Sequence, residues 1–257
     1  MATLDSPAPA DTRALYDLTA SNWARRAPAS LSDFTARPPV LDLCEPVAGR
    51  DVLDLGCGEG YCSRILAERG AQVLGIDISE RMIDLARQAE QARPLGITYS
   101  TGDATRVACA DAQFDLVLAM FLFNYLDVEG TRTTMAQIHR MLKPGGHFVF
   151  AVPHPAYAFM REPVRPFYFD VAGAGYFSAR DVRHPGKIWR RDGVALDVQM
   201  VHKTFEDYFE ALRLAGFTLL PVVRELKADH GMLELDPEFF SPLMDFPLHV
   251  ALKVQRI

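Results

Sequence analysis

The sequence predicts a doubly wound α/β fold with a mostly parallel, seven-stranded sheet, and two observations support that prediction. Between residues 50 and 153, short apolar stretches alternate with stretches of helical periodicity, which is the pattern of successive parallel βαβ units. The first apolar stretch, 52–55, runs directly into glycines at alternate positions, as expected where a buried strand turns tightly into a helix. Two later strands complete the sheet as an antiparallel edge.

Each element has its own local signal. The strands are short runs of mainly apolar residues, and we predict them at 52–55, 72–76, 97–100, 114–120, 147–152, 218–223 and 249–254. The helices show apolar periodicity or capping residues, and we predict them at 11–26, 38–49, 61–69, 79–92, 130–142 and 205–215. Asp11 and Ser79 are N-caps, Pro38 and Pro39 suit a first turn, and Gly70 stops the helix that follows the glycines.

The segment after the fifth strand departs from this alternation. Residues 154–204 contain many aromatic side chains and no long helical stretch, and loops of that length inside a domain are usually functional. A hairpin, 187–190 and 195–201, is predicted around Asp192-Gly193. We divide the chain into four parts: a disordered tail (1–10) with cap helices at 1–49, the alternating core at 50–153, a β-rich cap at 154–204, and the remaining helix and strands at 205–257.

Composition excludes several classes of protein. The net charge is −6 and no large lysine and arginine cluster is present, which argues against a nucleic-acid partner. The amino terminus lacks an apolar signal core and no apolar run reaches membrane-spanning length, so we expect a cytoplasmic protein that does not contact a membrane. The four cysteines have no C-x-x-C spacing, so we expect reduced thiols and no metal site.

The glycine turn carries the main functional signal. Its spacing, Gly56-x-Gly58-x-Gly60, differs from the G-x-G-x-x-G that surrounds a pyrophosphate. Asp54, two residues earlier, suits a ligand with an ammonium group and no phosphate. Asp77 ends the second strand, where a carboxylate commonly holds a ribose diol. S-adenosylmethionine has these features: an adenosine, a sulfonium and an amino-acid tail.

The motif D-L-G-C-G-E-G (54–60) followed by G-I-D-I-S (75–79) resembles the cofactor signature of class I S-adenosylmethionine-dependent methyltransferases, which have a Rossmann-like fold. Gly102-Asp103 and the stretch L-K-P-G-G at 142–146 also fit that family in order and spacing. The resemblance covers residues 50–153 closely and the remainder loosely. It therefore implies S-adenosylmethionine as the cofactor and methyl transfer as the reaction.

The same resemblance implies a role for individual residues. The backbone of the three glycines would lie against the methionine part and the ribose, Asp54 would face the amino group, and Asp77 would hold both ribose hydroxyls. Four residues would surround the adenine: Ile78, Met82, Asp103 and Ala104. Carbonyls near Phe121 would meet the ammonium. Tyr16 and Trp23, in a Y-D-x-x-A-x-x-W segment, would help to cover the cofactor and acceptor, or would instead be the apolar stripe of a packing helix.

The acceptor side has weaker signals. The fourth strand ends in M-F-L-F-N-Y (120–125) and not in N-P-P-Y, which counts against exocyclic amines of bases and favours an apolar wall. We expect five aromatic residues to contact the acceptor: Trp23, Tyr125, Tyr157, Tyr168 and Trp189. His154 ends the fifth strand, where it could act as a general base, or could simply bond to its loop backbone.

The sequence therefore predicts an S-adenosylmethionine-dependent methyltransferase that acts on an oxygen or nitrogen of a small molecule, such as a secondary metabolite, by in-line transfer. One alternative is a binding protein or pericyclase that retains the cofactor without methylating. A nicotinamide-dependent oxidoreductase is disfavoured by the glycine spacing and by Asp54. A macromolecular acceptor is disfavoured by the net charge, and the oligomeric state stays open.

Overall fold

The structure is a computed structural model that describes residues 11–25 and 27–257. The predicted disordered tail, 1–10, lies outside the described residues, as does the last residue of the first predicted helix. The helices are α1 Thr12–Trp23, α2 Leu31–Thr35, α3 Arg37–Cys44, α4 Tyr61–Glu68, α5 Glu80–Ala92, α6 Val128–Met141, α7 Phe205–Ala215, α8 His230–Leu235 and α9 Pro237–Phe240. The strands are β1 Asp51–Leu55, β2 Gln72–Asp77, β3 Thr98–Thr101, β4 Phe114–Met120, β5 Leu142–Pro153, β6 Phe167–Phe169, β7 Arg183–Trp189, β8 Ala195–Val201, β9 Val222–Leu226 and β10 His249–Gln255.

The described residues form a seven-stranded sheet in the order β3-β2-β1-β4-β5-β10-β9, and the predicted fold class is confirmed. Every neighbouring pair from β3 to β5 is parallel, whereas β10 runs antiparallel to both β5 and β9. Side chains alternate between the two faces of a strand. Leu53 and Leu55 therefore join one apolar cluster while Val52 joins the other, so that core side chains cover both faces.

The order of the strands determines where a ligand can bind. The chain runs outward from β1 through β2 to β3, then returns to place β4 on the other side of β1. At such a reversal, the loops after the two neighbouring strands separate and leave a crevice at their carboxyl ends. The glycine turn after β1 and the loop after β4 both begin at this crevice.

The 154–204 segment forms a second, three-stranded antiparallel sheet in the order β6-β7-β8. The predicted hairpin is present as β7 and β8, although β7 begins earlier than expected and β6 was not predicted. Apolar side chains of this sheet pack with the amino-terminal Leu31 and the carboxyl-terminal Phe240 and Leu248. The 154–204 segment therefore packs against both ends of the chain, and it lies over the crevice.

Some predicted boundaries were wrong. The helix expected at 38–49 is α3, which begins at Arg37 and already ends at Cys44, and the short α2 before it was not predicted. The strand expected at 218–223 lies later, at β9, because Pro221 has no N–H to donate to a ladder and the strand starts after it. The short helices α8 and α9 were not predicted. No helix within the described ranges is both long and apolar enough to cross a membrane.

Candidate functional site

A cavity of about 340 Å³ lies at the carboxyl ends of β1, β2 and β4, beneath the small sheet. Its size is in the usual range for small-molecule sites. Twelve of the residues singled out from the sequence line it: Tyr16, Trp23, Asp54, Gly56, Gly58, Asp77, Ile78, Met82, Asp103, Ala104, Phe121 and Tyr125. Five do not: Gly60, His154, Tyr157, Tyr168 and Trp189.

The glycine turn forms one wall of the cavity with its backbone. Gly58 has a φ of +55°, and a Cβ added there would meet no atom within 4 Å, so the space in front of it is open to a ligand. Gly60 serves a different purpose: with φ at +82°, its missing Cβ makes room for the Tyr99 hydroxyl. The first position is therefore suited to a closely approaching cofactor, and the second is explained by packing.

Asp77 holds the turn and also faces the cavity. Its Oδ2 accepts a hydrogen bond from the Gly58 N–H at 2.8 Å, and its Oδ1 accepts one from the Ser79 N–H at 2.9 Å. Burial raises the pKa of Asp77, and these backbone hydrogen bonds oppose the rise. A carboxylate has about four lone-pair sites, so two remain for a pair of hydroxyls. Asp77 thus positions the turn and keeps lone pairs available where the resemblance implies a ribose diol.

Asp54 is a buried acid with only one of its two carboxylate oxygens hydrogen-bonded. Its side chain is 1% exposed, and its Oδ2 accepts a hydrogen bond from the Ser63 hydroxyl at 2.6 Å. Its Oδ1 is buried without a hydrogen-bond partner among residues 11–25 and 27–257. Burial raises the pKa of Asp54 to about 6, with the Ser63 hydrogen bond acting against it. An unsatisfied buried carboxylate beside a cavity fits a cationic ligand group, such as the ammonium of S-adenosylmethionine.

The loops after β2 and β3 form the part of the cavity where the resemblance implies the adenine. Ile78 and Met82 supply apolar surface beside Asp77, and Ala104 begins a short 3₁₀ turn after β3. The Asp103 Oδ1 accepts hydrogen bonds from both the Thr105 N–H and its hydroxyl, at 2.9 and 2.8 Å. This bonding holds the Asp103 carboxylate at the cavity edge, where a purine amino group could donate to it.

Helix α1 lies across the mouth of the cavity. The hydroxyls of Tyr16 and Tyr125 are hydrogen-bonded, and the Tyr16 ring lies 5.7 Å from that of Trp23. Asp17 accepts a hydrogen bond from the Ser79 hydroxyl at 2.6 Å, so the helix is also bound to the start of α5. The buried residues of α1 include Leu15, while Tyr16 and Trp23 line the cavity. This division favours a covering role for the two aromatic side chains.

Sequence reasoning missed a buried cluster of charges beside the glycine turn. Asp33 pairs with Arg37 at 2.8 Å and with Arg25 at 3.0 Å, and Arg25 reaches Glu59 at 3.1 Å. The Arg25 guanidinium also lies 4.3 Å above the Tyr61 ring centroid. The cluster fastens the amino-terminal segment to the start of α4, and its arginines line the cavity. They could receive the carboxylate of an amino-acid tail.

His154 was predicted as a general base, but the structure satisfies both of its ring nitrogens elsewhere. Nδ1 accepts a hydrogen bond from the Ala156 N–H at 3.2 Å, and Nε2 lies 3.1 Å from Glu225 Oε1. The ring also packs edge-on against Phe205. Because the side chain is outside the cavity lining, this arrangement agrees with the alternative that His154 supports its own loop.

Three of the five aromatic residues expected around the acceptor lie outside the cavity, two of them because side chains alternate along a strand. Tyr157 is buried, where its hydroxyl donates to the Phe167 carbonyl at 2.7 Å. Tyr168 and Trp189 pack against each other outside the cavity, at a centroid distance of 5.9 Å. Their sequence neighbours on the opposite face line the cavity instead: Phe167, Phe169 and Ile188. The small sheet does cover the cavity, but it does so with other residues than we predicted.

Comparison with known proteins agrees with the fold. Residues 52–146 match the family described as methyltransferase domain. An S-adenosylmethionine-dependent methyltransferase structure from Mesorhizobium loti is similar over 85% of this chain and 96% of its own, with 29% identity and a TM-score of 0.61. A relative of uncharacterized function from Haemophilus influenzae is 27% identical over 91% of both chains. The ubiquinone biosynthesis O-methyltransferase of Azoarcus sp. is 34% identical over 51% of this chain and 52% of its own, about half its length.

A strand order of this kind, with a matched methyltransferase domain at its centre, defines a Rossmann-like transferase. The matched domain and the S-adenosylmethionine-dependent neighbour support a class I S-adenosylmethionine-dependent methyltransferase with S-adenosylmethionine as its cofactor. The predicted family and cofactor are thereby confirmed. A methyl acceptor is implied by the class.

Proposed function

We propose that this methyltransferase acts on an oxygen or nitrogen atom of a small molecule. One observation carries the proposal: the cavity that contains Asp54 and Asp77 also extends to apolar side chains of the small sheet, including Phe167, Phe169 and Val198. Cofactor and acceptor groups can therefore share one cavity. The walls on the acceptor side are aromatic and aliphatic, which suits a compact organic acceptor better than a nucleic acid.

The chain's own contribution to the reaction is alignment in a dry space. When bound, S-adenosylmethionine supplies a methyl group already activated by the sulfonium. Asp54 would hold the ammonium of the cofactor and Asp77 its ribose, and Phe121 lines the same cavity. Phe167 and Phe169 place apolar surface against the cavity, which would disfavour water beside the reacting groups. Orientation and desolvation of this kind account for large rate effects without a covalent step on the protein.

Two further observations favour a small acceptor, and oxygen in particular. The net charge of −6 supplies no basic surface for a polyanion. The Azoarcus relative is named as an O-methyltransferase of ubiquinone biosynthesis, and its similarity covers 51% of this chain. Oxygen is therefore the acceptor atom that we would test first.

Calorimetry and a transfer assay test the proposal. S-adenosylmethionine and S-adenosylhomocysteine should bind, while NAD and NADP should not. Labelled S-adenosylmethionine, incubated with pooled small-molecule phenols, alcohols and amines, should then yield labelled organic products. Tight dinucleotide binding would contradict the proposal. Cofactor binding without transfer to any pool would favour a protein that retains the cofactor without methylating.

A further inference from the structure

We propose that His249 selects the methyl acceptor. The Nδ1 atom of His249 accepts a hydrogen bond from an O–H or N–H group of that molecule. The cavity would then hold a hydrogen-bond-donating acceptor in preference to the methylated product. This inference rests on the proposed function and deepens it, because it assigns the contact that distinguishes a hydroxyl from its methyl ether.

His249 stands where the cavity meets the end of the sheet. It is the first residue of β10 and pairs with Pro153 at the carboxyl end of β5, so β10 brings it to the edge that carries the glycine turn. The side chain lines the cavity although the residue is only 2% exposed. Its ring centroid lies 5.0 Å from that of Phe121 and 5.7 Å from that of Phe167. The imidazole is therefore between the loop after β4 and the aromatic wall.

The hydrogen bonds around His249 assign its tautomer. The Thr35 hydroxyl donates its proton to the Leu31 carbonyl at 3.1 Å. Its oxygen therefore accepts in the 3.2 Å contact with His249 Nε2, and Nε2 carries the ring proton. Nδ1 is left as a bare acceptor. It is buried and has no hydrogen-bond partner in the part of the chain that the structure describes.

The imidazole acts as a hydrogen-bond acceptor and does not take up a proton near physiological pH. Burial, assisted by Arg37 and His154, lowers the pKa of His249 to about 3, so the ring is neutral near physiological pH. An unpaired buried acceptor disfavours the empty state, and a ligand O–H or N–H would satisfy it. A methyl ether has no proton to donate. A site that bonds a substrate hydroxyl discriminates strongly against analogues that cannot donate to it.

His202 shows that a buried, unpaired ring nitrogen does not by itself indicate a ligand site. Its Nε2 bonds the Tyr176 carbonyl at 2.9 Å, and its Nδ1 is also buried without a partner among residues 11–25 and 27–257. His202 does not line the cavity, however, so no ligand is expected there. The two histidines share burial and an unpaired nitrogen, and differ in access to the cavity. His202 therefore provides a matched control.

Paired ligands test the proposal directly. With the protein saturated by S-adenosylhomocysteine, we expect 2-naphthol to bind at least about tenfold more tightly than 2-methoxynaphthalene, the value of one good hydrogen bond. His249→Phe should reduce that preference to less than about twofold, whereas His202→Phe should retain it. Equal binding of the two ligands to the wild type would overturn the proposal, and so would failure of both to bind.

Nitrogen-15 NMR of the histidine side chains supplies a second readout that does not depend on turnover. The wild type should show the Nε2–H tautomer at His249, and 2-naphthol should shift the Nδ1 resonance while its ether does not. Thr35→Val keeps the ring but removes the acceptor for Nε2–H, so it should mix the tautomers and weaken the preference. An unmoved Nδ1 resonance in a protein that binds cofactor and transfers methyl groups would overturn this inference and leave the proposed function standing.

Discussion

Replacement of Asp54 by asparagine should make the ligand-free protein more stable and the cofactor complex weaker. The pKa of the buried Asp54 carboxyl is about 6 against an ordinary 3.8, a rise of about two units, and each unit corresponds to about 1.4 kcal/mol. Because the folded-state pKa lies above the unfolded value, the free energy of unfolding falls as pH rises from about 4 to about 6. Above that window the ionised carboxylate costs the ligand-free fold about 3 kcal/mol.

Asparagine removes that cost while keeping an oxygen to accept from Ser63. Its amide N–H₂ would occupy the place of an unpaired oxygen, which costs about 1 kcal/mol. Asp54→Asn should therefore be more stable than the wild type by about 2 kcal/mol at pH 8, a rise in melting temperature of roughly 4–8 °C. At pH 4 the carboxyl is protonated and only the amide cost remains, so the variant should be less stable by about 1 kcal/mol. Asp51→Asn is the control, because Asp51 is on the same strand as Asp54 and its carboxylate is partly exposed and paired with Lys143. This variant should differ little from wild type.

Cofactor binding should show the opposite effect. An ammonium beside Asp54 favours its ionised form, so wild-type affinity for S-adenosylhomocysteine should increase between pH 4 and 6, by up to about a hundredfold if the pKa returns to its ordinary value. Asp54→Asn should lose most of that dependence and bind more weakly at pH 8. Calorimetry at several pH values measures both. A variant that is less stable than wild type at pH 8, or that binds the cofactor equally well, would refute the reasoning.

Three further changes test other parts of the site. Asp77→Ala should weaken S-adenosylhomocysteine binding by about 1–3 kcal/mol in calorimetry, because two hydroxyls lose a charged acceptor; an unchanged dissociation constant would contradict that role. Gly60→Ala should lower the melting temperature more than Gly49→Ala, since both have positive φ but only at Gly60 would a Cβ meet Tyr99. Burial lowers the pKa of Lys203 to about 7, so denaturation should show stability rising from pH 7 to 10, and Lys203→Met should remove that slope.

Local sequence signals predicted the core well because they coincide there with tertiary structure. Strands buried on both faces appear as continuous apolar runs, and each βα turn in the first half carries its own glycine or capping residue. The prediction was wrong where two local signals conflicted. Residues 218–220 are apolar enough for a strand, but Pro221 delays pairing and Leu220 remains exposed. Apolar character alone could not show which residue starts the ladder.

The acceptor side was harder to predict because the sequence did not show which alternate residues of each strand face the cavity. Without the register of β6 with β7, either Phe167 and Phe169 or the intervening Tyr168 could have faced the cavity, and a shift of one residue exchanges the two faces. Tyr168 and Trp189 were expected to contact the ligand because so many aromatic residues in one loop-rich segment would otherwise be exposed. The structure places the smaller, wholly apolar residues against the cavity, which is the arrangement that leaves no phenol unpaired there.

Asp54 and His249 illustrate a limit that applies to buried polar groups in general. Asp54 was predictable because its neighbours in sequence, the glycines, are also its neighbours in space. His249 is far from Thr35 in the chain, yet that hydroxyl fixes its tautomer and so decides which nitrogen is left unpaired. A histidine that accepts only through Nδ1 cannot be told from any other histidine by local pattern. The preference of this cavity for a methyl acceptor therefore depends on a contact between the amino-terminal cap and the last strand. That contact exists only in the folded protein.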